Sequence, residues 1–175
     1  MRTIRILTAS AALVAPMFLV GIQAPADGAT GAKAEYHHPQ VAFVGHARAH
    51  GGKATVLAVY RCWGGNENTH LWVSLKQGGG IKGKSLKKLS KMEGTSKLAR
   101  AWYDTNVVDP SKVTINCNGK WQTHRYTVKR EKGTLRNGKA FMQFCLFDSH
   151  ADPEGMSNKG FAFRYDLLRV HRVKR

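Results

Sequence analysis

The sequence predicts an all-β domain, a small β-sandwich, on three observations. From residue 40 onward apolar residues recur at every second position, the spacing of strands with one buried face. Asn118-Gly119 and Asn137-Gly138 interrupt that pattern with the dipeptide that takes up the positive dihedrals of hairpin-type turns at least cost. Two of the three cysteines, Cys62 and Cys117, each fall on the apolar side of such a segment.

The elements follow in chain order. Arg2 and Arg5 precede an acid-free apolar run from Ile6 to Val20, and Ala24 and Ala26 have the small-residue spacing of a signal-peptidase site. Residues 1–26 therefore read as a secretory signal peptide. The run is shorter than the ~20 residues that span a bilayer, so no integral membrane segment is expected after cleavage, and the mature protein is expected to be secreted, extracellular. Residues 27–39, small and polar before Tyr36-His37-His38-Pro39, read as a flexible N-terminal arm that need not pack on the domain. The domain at 40–175 offers strands over 40–50, 53–62, 70–77, 97–104, 111–117, 120–129, 138–148 and 160–172. Ala42, Ala47 and Ala49 weaken the first of these, whose His46, Arg48 and His50 would face solvent.

Within 78–96, Gly78-Gly79-Gly80 opens a stretch in which Ile81, Leu86, Leu89 and Met92 have roughly the spacing of an amphipathic helix, a lysine-rich loop or short helical insert. Asp148, Asp152 and Glu154 gather in a loop before the last strand, at a spacing that fits no known calcium loop. Seven to eight antiparallel strands around an inward cysteine pair fit a single immunoglobulin-like β-sandwich, with a closed barrel as the alternative.

Export turns three cysteines into one disulfide and one remainder. Cys62 shares a face with Val56, Ala58 and Tyr60, Cys117 with Val113 and Ile115, while Cys145 sits in a run from Ala140 to Phe147 that is apolar on both faces. The expected pair is Cys62 with Cys117, leaving Cys145 buried and inert; spacing alone leaves Cys117 with Cys145 open.

The 175 residues hold 28 Lys+Arg against 11 Asp+Glu, a formal +17, and loss of Arg2 and Arg5 with the leader still leaves +15. That excess is larger than solubility requires and points to an anionic partner such as a wall polymer. Lys82, Lys84, Lys87, Lys88 and Lys91 are the candidate anionic-surface site, with further basic clusters at 129–139 and 169–175. No nucleic-acid motif is present, and Trp72, Trp102 and Trp121 read as core or inter-sheet residues, so no specific nucleic acid is expected. Trp63, at a strand end beside Gly64 and Gly65, is the candidate exposed aromatic anchor for a partner, with packing over the disulfide as the equal alternative.

Singly scattered acids supply no paired carboxylates, nucleotide loop or metal-ligand cluster, so neither cofactor nor metal is expected and the chain reads as a non-enzyme. A ribonuclease would need two histidines and a cation on one phosphate. His70, His124 and Lys120 can be nominated, but His124 reads as lying on the outward face of its strand. His46 and His50 would stand about 13 Å apart on extended chain, too far to clasp one zinc ion.

Tyr60-Arg61-Cys62, the run from Ile115 to Trp121 and the run from Gly138 to Gln143, behind an Ala-rich export signal, resemble the small secreted immunoglobulin-like proteins of actinobacteria over residues 40–172. Within that group the chain is similar to the small adaptor subunits of umbrella toxin particles. The resemblance implies a protein-protein role, one sandwich surface gripping a repeat domain while the arm, with Tyr36, His37, His38 and Pro39, docks in a cleft of another subunit. The insert at 78–96 departs from that pattern. The function expected is a secreted adaptor joining partner proteins in an extracellular, toxin or antibacterial assembly. The alternatives are a cationic wall- or membrane-binding antimicrobial protein and a secreted ribonuclease-like toxin.

Overall fold

The computed structural model describes residues 35–173 apart from 93, 106–114 and 153–158. The signal-peptide reading, the first part of the arm and Glu154 lie outside these residues. Among the described residues there are eight strands: β1 (Gln40–Val44), β2 (Ala47–His50), β3 (Lys53–Arg61), β4 (His70–Gln77), β5 (Ala101–Asp104), β6 (Gln122–Lys132), β7 (Gly138–Phe147) and β8 (Phe161–Arg172). They run β1-β3-β2-β8-β7-β4-β5-β6, and β6 pairs back onto β3. Seven strands thus close a β-barrel, while β1 lies along the C-terminal half of β3 beyond the stretch that β2 occupies.

The immunoglobulin-like sandwich is therefore corrected to a barrel, and the all-antiparallel expectation is corrected too. β2 and β8 pair in parallel, Ala47 to Val170 through Ala49 to Arg172, and that short ladder joins the β2–β3 hairpin to the rest of the sheet. The closing contact on the other side is long: β3 and β6 pair without interruption from Lys53↔Lys129 to Tyr60↔Gln122. Both architectures bury alternate residues, and they differ in whether the outer strands find each other and so remove the sheet's edges.

The interior is built from the alternation the sequence shows. Val56, Ala58 and Tyr60 of β3 meet Leu71, Val73 and Leu75 of β4 and Met142, Phe144 and Leu146 of β7 in one buried cluster. Ala47 and Ala49 are buried in it while His46, Arg48 and His50 are exposed, as their alternation predicts. Cys62 and Cys117 form the disulfide, and Cys145 is free and buried.

The tight hairpin is at an unpredicted place. Gly51 and Gly52, at φ +55° and +80°, link β2 to β3 with His50 opposite Lys53, a two-residue turn that needs left-handed backbone at both positions. Asn137-Gly138 leads from β6 into β7, which are not neighbours, and Asn118-Gly119 precedes β6 beside the disulfide. Neither Asn-Gly pair closes a hairpin. Of the strand expected over 111–117, residues 115–117 are irregular and 111–114 lie outside the described residues.

Between β4 and β5 the chain forms a 3-10 turn (Gly79–Ile81) and the short helices α1 (Leu86–Ser90) and α2 (Thr95–Leu98). Ser85 caps α1, its Oγ accepting from the Lys88 amide at 3.3 Å. Ile81 and Leu89 are buried and Leu86 and Met92 partly so, against Phe141, Trp102, Tyr165 and Leu167 on the outside of the barrel. A short helical insert thus forms a second small core. Trp72 and Trp102 are correspondingly outside the barrel, and Trp121 is exposed, so none of the three is a barrel-core residue.

Candidate functional site

Where β4 ends and β5 and β7 begin, the surface opens into a cleft of about 880 Å³. Gln77, the last residue of β4, organises it. Its Nε2 donates to the carbonyls of Arg136 (2.9 Å) and Lys139 (3.1 Å), and its Oε1 accepts from the Arg136 amide at 2.7 Å. One side chain therefore ties the β6–β7 connection to the end of β4. The Arg100 amide donates to the Gln77 carbonyl at 3.0 Å and fixes the start of β5. Two glycines permit this close approach: a Cβ at Gly133 would lie 2.1 Å from the Arg100 carbonyl oxygen, and one at Gly79 would lie 2.3 Å from that of Leu98.

The resulting cleft has an apolar floor from Ile81, Ala101, Phe141 and Leu167, and a rim of Lys82, Lys84, Arg100, Arg136 and Lys139. Among the described residues no acid lines it. Five cations from three segments of the chain therefore sum their fields on one concavity, where low-dielectric walls strengthen the attraction for an anion. Arg100 and Arg136 offer planar forks suited to phosphate or carboxylate, and the lysines offer point charges.

The predicted lysine set is divided among three places. Lys82 and Lys84 reach the cleft, Lys87 and Lys88 are exposed on α1, and Lys91 lines a different pocket. Arg136 and Lys139 join Lys82 and Lys84 although the sequence puts them in another cluster, and Arg100 belongs to no cluster there. No local pattern could have found them together, because the sheet topology and the Gln77 bonds assemble them.

The opposite end of β4 and β7 carries the other predicted residues. The Arg61 guanidinium lies 4.7 Å from the Trp63 ring centroid and 5.0 Å from that of Trp121, a cation–π contact with each indole. His37 lies 5.1 Å from Trp63 between ring centroids, and Gly119, at φ +76°, would bring a Cβ to 2.9 Å from the Trp63 indole nitrogen. The Tyr36 hydroxyl accepts from the Gly160 amide and its ring meets His150 edge-on at 5.1 Å; burial pushes this phenol above its ordinary range. Tyr36, His37, His38, Pro39 and Trp63 are thus neighbours at one end of the barrel.

Two expectations change here. The last residues of the arm pack on their own domain, with Pro39 buried and Tyr36 half-buried. Trp63 is half-buried, and the exposed indole at this end is Trp121, at 48%.

The residues nominated for nuclease chemistry have separate surroundings. His124 faces inward beside Tyr126, ring centroids 4.7 Å apart, contrary to the outward face expected, whereas His70 packs on Phe147 at 5.7 Å. Burial raises the Cys145 thiol to about 11, which keeps it protonated and a poor nucleophile at neutral pH.

Among the described residues no helix is long and apolar enough to cross a membrane. Comparison with known proteins finds no matching family model, no similar curated protein and no similar solved structure.

Proposed function

We propose that this is a secreted, non-enzymatic binding protein whose basic cleft takes a segment of an anionic wall polymer. The observation that carries the reading is the convergence of Lys82, Lys84, Arg100, Arg136 and Lys139 on one cleft with no acid lining it among the described residues. A phosphate-bearing chain laid along the rim would exchange its counterions for these cations, and its methylene groups would cover the apolar floor. The test is calorimetric titration with poly(glycerol phosphate). Arg100→Gln with Arg136→Gln should weaken binding about tenfold or more and lower the slope of log affinity against log salt by about two. Unchanged affinity in that variant would remove the cleft from the account.

A second reading, the adaptor, draws support from the other end of the barrel, where Trp121 is exposed beside Arg61, Trp63 and the arm residues. An exposed indole next to a guanidinium has the composition of a protein-interface hot spot. If that end grips a partner, Trp121→Ala should release a protein that co-purifies from culture medium at high salt. A chain that travels alone at high salt contradicts the adaptor.

A further inference from the structure

Outside the barrel, beneath α2, a separate pocket of about 400 Å³ is lined by Trp72, Lys76, Lys91, Met92, Thr95, Gln143 and Tyr165, with Ser90 and Ser96 beside them. Its volume is in the range of small-molecule sites. Lys76 is 2% exposed, and its ammonium donates to Thr95 Oγ1 at 3.0 Å and to Gln143 Oε1, both neutral acceptors. The same nitrogen lies 5.1 Å from the Trp72 ring centroid. The Trp72 indole N–H is buried with no hydrogen-bond partner among the described residues. Lys91 and the Ser96 hydroxyl add further donors, whereas the Ser90 hydroxyl already donates to the Lys87 carbonyl and that of Thr95 to Gln143 Oε1; among the described residues no acid lines the pocket. The wall therefore offers more donors than acceptors, and its amide acceptor is already engaged by Lys76 and Thr95.

We propose that this pocket binds a small organic anion with a flat apolar body, an aryl carboxylate in class, with its carboxylate at Lys76 and its ring against Trp72 and Tyr165. The anion would give the buried ammonium a bonded anionic partner beyond the Asp104 charge that already acts on it, while Trp72, Met92 and Tyr165 stand beside its body. The site does not depend on the basic cleft.

The groups around Lys76 decide how binding responds to pH. Burial lowers the amine to about 8, and Asp104 on β5 and Cys145 on β7 oppose that shift. Cys145, at about 11, and Tyr165 on β8, held above the ordinary phenol range by burial, give up their protons after Lys76 does, and Lys91 on the insert stands at the rim. Lys76 is thus the pocket-lining group whose loss of charge would release an anion as pH rises above about 8.

The test is calorimetry of the full secreted chain with 2-naphthoate, and with 2-naphthamide as the uncharged isostere. The carboxylate should bind at pH 6.5–7.5, weaken by up to about tenfold per pH unit above 8, and be lost in Lys76→Met. It should also be lost in Ser96→Glu, which sets an acid at the pocket while leaving the buried amine in place, and be retained in the Arg100→Gln, Arg136→Gln variant. No heat with millimolar carboxylate, equal binding of the amide, or undiminished binding by either pocket variant would overturn the proposal.

Discussion

Lys76 is the residue whose behaviour is hardest to infer from its neighbours in the chain. It occupies the outward register of β4, where a lysine is ordinarily solvated, and is buried because Thr95 and the rest of the insert fold over it. Its amine falls from 10.5 when free to about 8 in the fold, mainly by desolvation. Below about pH 8 both folded and unfolded chains hold the proton, and the folded state bears the full cost of burying it. Between about 8 and 10.5 the unfolded chain binds the extra proton, so this group's contribution to stability rises with pH, by up to on the order of 3 kcal/mol. Urea titrations of wild type and Lys76→Met at pH 7 and 10 should show wild type gaining on the variant as pH rises; a constant difference would contradict the buried-amine reading. Arg100, Arg136 and Lys139 have the complementary history. Their charge is plain in the sequence, but their meeting is not, because it depends on the Gln77 side chain bonding a connection 59 and 62 residues further on.

At the scale of elements, alternation made most strands legible, since a strand with one buried face writes its period directly into the chain. The insert was legible for the same reason at a different period, with Ile81 and Leu89 buried as their spacing requires. Turn chemistry was less informative. Asn-Gly marks a local bend, whereas a hairpin also requires the flanking strands to pair, and only the register of Gly51-Gly52 supplies that condition. Two elements hold the ends of the barrel. The disulfide links residues separated by 55 positions, and in the chain-entropy account a closed loop of that length contributes about 4 kcal/mol. Cys62→Ala with Cys117→Ala should lower the urea midpoint accordingly, and a loss below about 1 kcal/mol would mean that the backbone bonds from Gly65 to Cys117 and from Gly119 to Cys62 suffice. At the cleft end, Gly133→Ala forces a Cβ toward the Arg100 carbonyl in a left-handed conformation. It should cost about 1–3 kcal/mol in the same titration and weaken polymer binding by displacing the rim; an unaffected protein would show that this approach is not needed.

For the whole molecule, the closure of the sheet was the feature least written in the sequence. A barrel and a sandwich share the same inward and outward residues, and the choice rests on β8 reaching β2 and β6 reaching β3, pairings between segments distant in the chain. The charge was legible from the outset at +17, but its concentration on one cleft follows from that closure and from the insert beside it. Closure and charge thus have one consequence: a rigid frame presents five cations with no acid lining the cleft among the described residues. The measurement that tests this most directly is the affinity for poly(glycerol phosphate) at 50 and 200 mM salt, for wild type and for the Arg100→Gln, Arg136→Gln variant. With five cations engaged, wild-type affinity should fall about a hundredfold over that range, and the variant should lose distinctly less. Equal salt dependence in the two proteins would show that the polymer contacts the general positive surface, and would contradict the cleft as the binding site.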